Sequence, residues 1–585
     1  MDKISTPSTN SVPLHEIAPE KQDEIVSASR KDDVEDGEKE FIEHDAQAGV
    51  QKMQAATSVW TKGHLITAYA LIWLIYFVAS LEELVIRSLN PYVTSSFSLH
   101  SLTAATGIMA SIIGGLAKIP LAKILDTWGR PQGMSLMLLV WVLGYIMMAT
   151  CKNVQTYAAA QVFSSTGSQG ISYCLTVFIA DTTALKSRPL MLAFATSPYI
   201  ITSWIGGPVA QSVVTRGGPG WRWGFGIFSI VVPVVVSPLI FLFLWNHRKA
   251  RKAGLISSTP ISLSPKSIIN YAIEVDLVGI LMLASGMALF LLPFSLYSYQ
   301  PDQWRSPMII CMIIFGGLLI IAFAFYEKYV APVTFIPFEL LLDRTVFLAG
   351  IMFTLVFFNS IVWGSYFFSM LQVVWGLSVI NASYVSAIYR VGSCFFAILV
   401  GVAIRWTGRF KWIALYFAIP LMMLGVGLMI HFRQPNSDIG YIIMTQIFVA
   451  FSGGTIVLCG EMAMMAPSDH QHIAVIIAIL NLFSSIGSAL GGTVATSIWT
   501  SVFPAALKKY LPPDVDYKMV YGSILWQMFY EKGTPARNAI NRAYGDAQRL
   551  MLITSVCLLA GALICVAFWR DINVKHIKQV KGRVF

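Results

Sequence analysis

Long apolar runs separated by short polar turns dominate the chain. The runs centre on residues 64–88, 101–123, 133–151, 156–182, 190–213 and 223–245, and then, after a gap, on 274–297, 307–329, 346–371, 379–404, 411–431, 439–466, 470–500 and 549–569. A membrane-spanning helix needs about 20 such residues. The pattern therefore predicts fourteen spans and an all-α polytopic membrane protein. The gap is a basic connector, "NHRKARKAG" at 246–254, that runs on through Ser- and Pro-rich sequence.

The same pattern predicts the organisation. Residues 1–62 form an acidic tail and 63–246 a six-helix half. The connector covers 247–273, and 274–330 holds two inserted helices. The first five helices of a second half occupy 331–500, with a long loop at 501–548, a last helix at 549–570 and a basic tail at 571–585. Two short matches support duplicated halves. "AKILDTWGRPQ" (122–132) aligns with "GVAIRWTGRFK" (401–411) at an offset of 279, pairing Gly129 with Gly408 and Arg130 with Arg409. "SWIGGPVA" (203–210) aligns with "SALGGTVA" (488–495) at an offset of 285. Duplicated halves that rock about a central site are a common build of secondary transporters.

Composition agrees. Of 585 residues, 56% are hydrophobic and only 12% charged, half the charge of an ordinary soluble chain. Residues 1–50 hold thirteen Asp and Glu against five Lys and Arg, too polar to fold alone, which predicts a disordered tail. The chain's net charge of +10 leaves +18 on residues 51–585. That charge clusters at span edges, so anionic lipid head groups are its expected partner and nucleic acid is not. An even span count puts both termini on one side, and the cations at 186–188, 246–254, 408–411 and 570–585 make that side cytoplasmic. The loop at 501–548 opposes the rule, but long loops cross largely regardless of charge. Lys21, Lys31 and Lys39 in the tail are candidate sites for the ubiquitin machinery, and Asn381 opens a glycosylation sequon. Neither the cysteines nor the histidines have metal-ligand spacing. Nothing matches HExxH, a Walker lysine or a nucleophile elbow, so no enzyme is predicted.

"AKILDTWGRPQG" resembles the loop 2–3 signature of the major facilitator superfamily at Asp126, Gly129 and Arg130. The resemblance implies a latch joining the ends of neighbouring helices, with Gly408 and Arg409 as its repeat. "SLNPYVTSSF", "GSQGISY", "FIADTTALKSRPL", "WRWGFGIF" and the late "GTPARNAINRAYGDAQRLM" resemble the fungal siderophore–iron transporters, nearest to importers of triacetylfusarinine-type chelates. That family implies uptake of ferric hydroxamate siderophores by proton symport at the plasma membrane. The alternative is a fourteen-span drug:proton exporter. Its glycine series in span five is replaced here by Phe194, Ser203, Gln211 and Ser212.

A ferric tris-hydroxamate already has six oxygen ligands, so the iron needs no protein ligand and no cofactor is expected. Candidate binding residues are the aromatic Tyr199, Trp363, Tyr366 and Tyr389, with Tyr521, Trp526, Tyr530, Arg537 and Tyr544 in the late loop acting as a lid. Ionisable residues inside spans are functional hypotheses by default, which nominates Glu82, Glu83, Asp181, Arg390 and Glu461 for proton coupling. Glu83 and Arg87 are one helical turn apart, so they are expected to pair. Glu82 is then the unpaired carboxylate, and Glu461 the expected counter-charge of Arg390. Arg222 is expected at the membrane interface.

Overall fold

The apolar segments fold as helices whose ends are marked by short polar caps. This computed structural model describes residues 60–96, 113–214, 220–253, 276–297, 302–332, 342–468, 472–522 and 524–575, with residues 110, 273, 300 and 577 beside them. The acidic tail, with Lys21, Lys31 and Lys39, lies outside the described residues. The first half contains α1 (Lys62–Ser96), α2 (Lys118–Thr127), α3 (Arg130–Thr150), α4 (Val154–Thr182), α5 (Arg188–Thr196), α6 (Tyr199–Val214) and α7 (Trp221–Lys252). Two inserted helices follow, α8 (Leu277–Leu291) and α9 (Pro307–Tyr329). The second half contains α10 (Arg344–Gly364), α11 (Val379–Thr407), α12 (Ile419–Phe432), α13 (Ile439–Met465), α14 (Ile473–Tyr510) and α15 (Pro535–Ala567). Among the described residues, eleven helices are long and apolar enough to cross a membrane. The segments 101–123, 156–182 and 274–297 also carry helix, but none that meets that measure.

Capping residues set the starts. Asn153 accepts the Thr156 N–H at 2.7 Å to open α4, Asp343 takes the Thr345 N–H at 2.8 Å to open α10, and Thr534 opens α15. Each cap satisfies a backbone donor that has no partner within the helix. Small residues set the crossings. A side-chain carbon at Gly144 would strike the Ser164 backbone, and one at Gly167 would strike that of Trp141, so α3 and α4 approach backbone to backbone. Lipid offers no hydrophobic drive between helices, so close packing of this kind holds them together. Gly286 and Gly316 let α8 and α9 cross in the same way. The outer faces of these two helices stay exposed at Leu281, Ile314, Leu318 and Ile321.

The repeat is structural. Gly206, in α6, packs against Leu84 of α1, while its repeat Gly491, in α14, packs against Phe358 and Ile361 of α10. Equivalent helices thus meet at equivalent glycines. Gly129 and Gly408 both take positive φ, 117° and 73°, at the turn that ends one helix and begins the next. A side chain is strained in that region, so the turn requires glycine.

Both described ends lie on one face. Trp60 packs on Phe178 and Phe243, with ring centroids 5.6 and 5.8 Å apart. Beyond Phe178 the chain turns into α5, where Leu190 lies against Gly401 of α11. After α11 the Gly408 carbonyl accepts the Val574 N–H at 2.9 Å. On this terminal face the halves also touch through Tyr173, whose hydroxyl donates to the Ala474 carbonyl at 2.5 Å, and through Arg188, which reaches the Met465 sulfur at 3.8 Å.

The stretch 501–548 is not the loop that the sequence predicts. α14 continues to Tyr510 and α15 begins at Pro535, leaving 511–534 with two short helices, Tyr517–Gly522 and Ile524–Phe529. Its polar residues mislead a hydropathy reading. They lie on helices that extend α14 and α15 and bury an apolar face of Ile540, Ala543, Tyr544 and Ala547 against Trp499, Phe503 and Val520.

Candidate functional site between the two halves

A polar zone runs between the halves, and sequence periodicity builds it. On α1, Tyr76, Ser80 and Glu83 recur at helical spacing and share a face. Thr202 of α6 donates to the Ser80 hydroxyl at 2.9 Å, and the Tyr76 hydroxyl meets Ser172 of α4 at 3.2 Å. On α4, Ser165, Gln169, Ser172 and Thr176 form a second stripe of the same spacing, with Gln169 donating to Ser165 at 2.9 Å. Hydroxyls and amides replace hydrocarbon along both stripes.

The charges sit on these stripes. Arg390 of α11 donates to Glu83 of α1 at 3.1 Å, with the two side chains 25% and 39% exposed. Tyr199 donates to the other Glu83 oxygen at 3.2 Å, and the Arg390 guanidinium lies 5.2 Å from the Tyr199 ring centre. This cluster bridges the halves and corrects one expectation, the pairing of Arg390 with Glu461. Glu83 takes Arg390, 307 residues away, and the side chain of Arg87 lies outside the described residues. Arg390 in turn takes Glu83, not Glu461. Among the described residues Glu461 makes no hydrogen bond or ion pair, and it acts electrostatically on Tyr76 across the interface. It is half-buried.

Glu82 points elsewhere. Only 6% exposed, it accepts a hydrogen bond from the Tyr145 hydroxyl inside the first half. It therefore faces neither water nor the second half, because the neighbouring residue on α1 is turned about 100° from Glu83. Asp181 is also internal. Its carboxylate pairs with Arg130 at 2.9 Å, both nearly unexposed. The expected latch partner, Asp126, has its side chain outside the described residues. In the second half Arg409 lies 3.8 Å from Asp571. Arg222 lies 4.1 Å from the Trp221 ring centre and donates to the Cys151 carbonyl at 2.8 Å.

The candidate aromatics divide. Tyr199 belongs to the central zone. Trp363 and Tyr389 meet edge to face at 5.3 Å within the second half, and Tyr366 stacks on Trp499 at 4.0 Å. In the late segment, Tyr521 and Trp526 are exposed and Tyr530 half-buried. Arg537 and Tyr544 are not on a lid surface. Arg537 is 4% exposed and donates to the carbonyls of Val373, Gln527 and Tyr530, while Tyr544 donates to the Gln527 side-chain oxygen at 2.8 Å. Their donors are spent on holding the segment against the second half.

Three further cations are not among the candidate site residues. Arg188 donates to the Ala180 carbonyl at 2.9 Å. Arg433, fully buried, donates to the Trp363 carbonyl at 2.6 Å and to Gln548, and its guanidinium lies 4.0 Å from the Phe367 ring centre. Lys118, in the apolar α2, donates to Asn481 of α14 at 2.7 Å. The available signal was a charge within an apolar run, the same signal that nominated Glu82 and Arg390. Among the described residues no three His, Cys, Asp or Glu side chains gather as a metal site.

Residues 72–303 match the profile of the Major Facilitator Superfamily. The chain is 56% identical over 543 residues to "MFS siderochrome iron transporter 1" of Ajellomyces capsulatus, covering 92% of each. It is 42% identical to "MFS siderochrome iron transporter D" of Aspergillus fumigatus, over 92% of this chain and 90% of that one. Among solved structures, the human organic anion transporter MFSD10 (TETRAN) superposes with a TM-score of 0.52 at 13% identity, covering 84% of this chain and 98% of that one, which speaks for the fold alone. A duplicated six-helix architecture, a polar zone between its halves and relatives matched over nearly their full length place this chain in the fungal siderochrome iron transporter family of the Major Facilitator Superfamily.

Proposed function

We propose that the protein imports ferric hydroxamate siderophores of the triacetylfusarinine type by proton symport, through alternating access of its two halves. The observation that carries the mechanism is the Glu83–Arg390 pair, because it joins the halves through a group that a proton can neutralise. An external proton that neutralises Glu83 removes the anion facing Arg390 and loosens that link. Glu461, half-buried and without an ion-pair partner among the described residues, is the second candidate proton carrier. The contacts from Tyr173 to Ala474 and from Arg188 to Met465 close the terminal face, so cargo enters from the opposite side. The basic clusters of the terminal face make it the cytoplasmic side of the plasma membrane. Iron travels as the chelate, whose own oxygens fill its coordination sphere, and no resident cofactor takes part.

The test is radioiron uptake from a panel of ferric hydroxamates, in a fungal host stripped of its own iron uptake, with and without protonophore. The expected result is saturable, protonophore-sensitive uptake of one chelate. Glu83→Gln is expected to leave downhill equilibration intact while accumulation against the gradient falls to background. No uptake of any chelate by protein at the cell surface would move the assignment to export.

A further inference from the structure

The seam between α2 and α14 holds a charge that the transport scheme above does not use. Lys118 lies in a helix otherwise apolar from Ile113 to Ala122. A lysine there is costly to insert unless it is partnered or faces a hydrated space. Its described partner is neutral, the Asn481 side-chain oxygen at 2.7 Å. No carboxylate among the described residues pairs with it. An ammonium carries three donors, and this bond uses one. Asn481 is oriented for the contact, because its amide nitrogen donates to the Ile477 carbonyl at 2.7 Å and turns the oxygen towards the lysine. The approach of the two helices is built in, since a side chain at Gly115 would strike the Ser485 hydroxyl. One turn before Lys118, Gly114 faces Gln169 and Ser165 of the α4 stripe, so the ammonium adjoins the central polar zone. It is half-buried.

We propose that Lys118 is a cargo contact that distinguishes the iron-loaded chelate from the empty chelator. The argument rests on the siderophore reading given above. In a ferric tris-hydroxamate three deprotonated groups cancel the 3+ charge of the iron, and none of the six coordinating oxygens carries a proton. In the iron-free molecule the same groups are protonated and neutral at physiological pH. An ammonium with free donors favours the first, because its oxygens can only accept, whereas each protonated group of the iron-free molecule turns an O–H donor towards the same space. Asn481 belongs to the other half, so the cargo competes with it for the ammonium. Binding then exchanges a contact between the halves for a contact with cargo, which frees the seam to open.

The experiment measures equilibrium binding of a radioiron-labelled triacetylfusarinine-type chelate to the purified full chain in lipid nanodiscs, with the iron-free form as competitor. Lys118→Met is expected to weaken binding of the ferric chelate about tenfold and to leave the iron-free form within about twofold, so the preference between them collapses. Lys118→Arg should stay within about threefold of the parent. Asn481→Ala should bind the ferric chelate as well as the parent or better, because the competitor for the ammonium is gone. Equal weakening by Lys118→Met and Asn481→Ala would overturn the inference, since the hydrogen bond would then be structural only. Unchanged preference in Lys118→Met would overturn it as well. If the parent protein binds no chelate of the panel, the siderophore reading fails and takes this inference with it.

Discussion

The same Gly-Arg turn occurs twice in this chain and carries different weight each time. In the first half, Gly129 and Arg130 open α3, and the Arg130 side chain reaches Asp181 at 2.9 Å, with the two side chains 3% and 1% exposed. In the second half, Gly408 and Arg409 follow α11, and Arg409 reaches Asp571 at 3.8 Å, with exposures of 56% and 35%. Both turns keep a glycine at positive φ, and burial decides what the following arginine does. A buried pair is costly to break, because the surviving charge is left without water or partner. An exposed pair is screened and worth about 0–1 kcal/mol. The first turn is therefore a structural joint, and the second a loose contact with the C-terminal segment.

Four single substitutions and one double break or sharpen that contrast, and the largest effect comes first. Arg130→Ala takes the ion-pair partner described above from the buried Asp181 and should cost about 3–5 kcal/mol, read as loss of the monodisperse peak by size exclusion in detergent. Pairing it with Asp181→Leu should restore much of that loss, whereas recovery of nothing would show that the arginine, not the pair, is what matters. Gly129→Ala is next, at about 1–3 kcal/mol, because φ 117° with ψ 162° is a region open essentially to glycine alone. Gly408→Ala should cost somewhat less, about 1–2 kcal/mol, since its φ of 73° and ψ of 3° lie closer to the left-handed region that other residues visit. Thermal unfolding midpoints would rank the two, and the reverse order would contradict the contrast. Arg409→Ala closes the series at about 0–1 kcal/mol. That shift should vanish in high salt, while the Arg130→Ala defect persists.

Much of the architecture was legible. A segment of some twenty apolar residues has one low-energy answer in lipid, which is a helix that satisfies its own backbone. The two repeats then announced the halves, and Gly206 and Gly491 do occupy equivalent crossings. The charged residues were less legible. Sequence spacing offered Arg390 no partner but Glu461, yet Arg390 bonds Glu83, a partner that exists only once the halves dock. Polarity made residues 535–548 look like loop, but Arg537 spends its guanidinium on the carbonyls of Val373, Gln527 and Tyr530, so the segment is an extension of α15.

What the sequence determined by itself is what depends on local physics: the positions of the apolar helices, helix ends at Asn153 and Asp343, glycine at the repeated turns and family membership. Only the tertiary structure decided which charges meet. Adjacent glutamates on α1 face opposite environments, Glu82 towards Tyr145 inside one half and Glu83 towards Arg390 across the seam. The reason is that a helix turns by about 100° per residue, so one position along the chain separates the interior of a half from the surface between two halves.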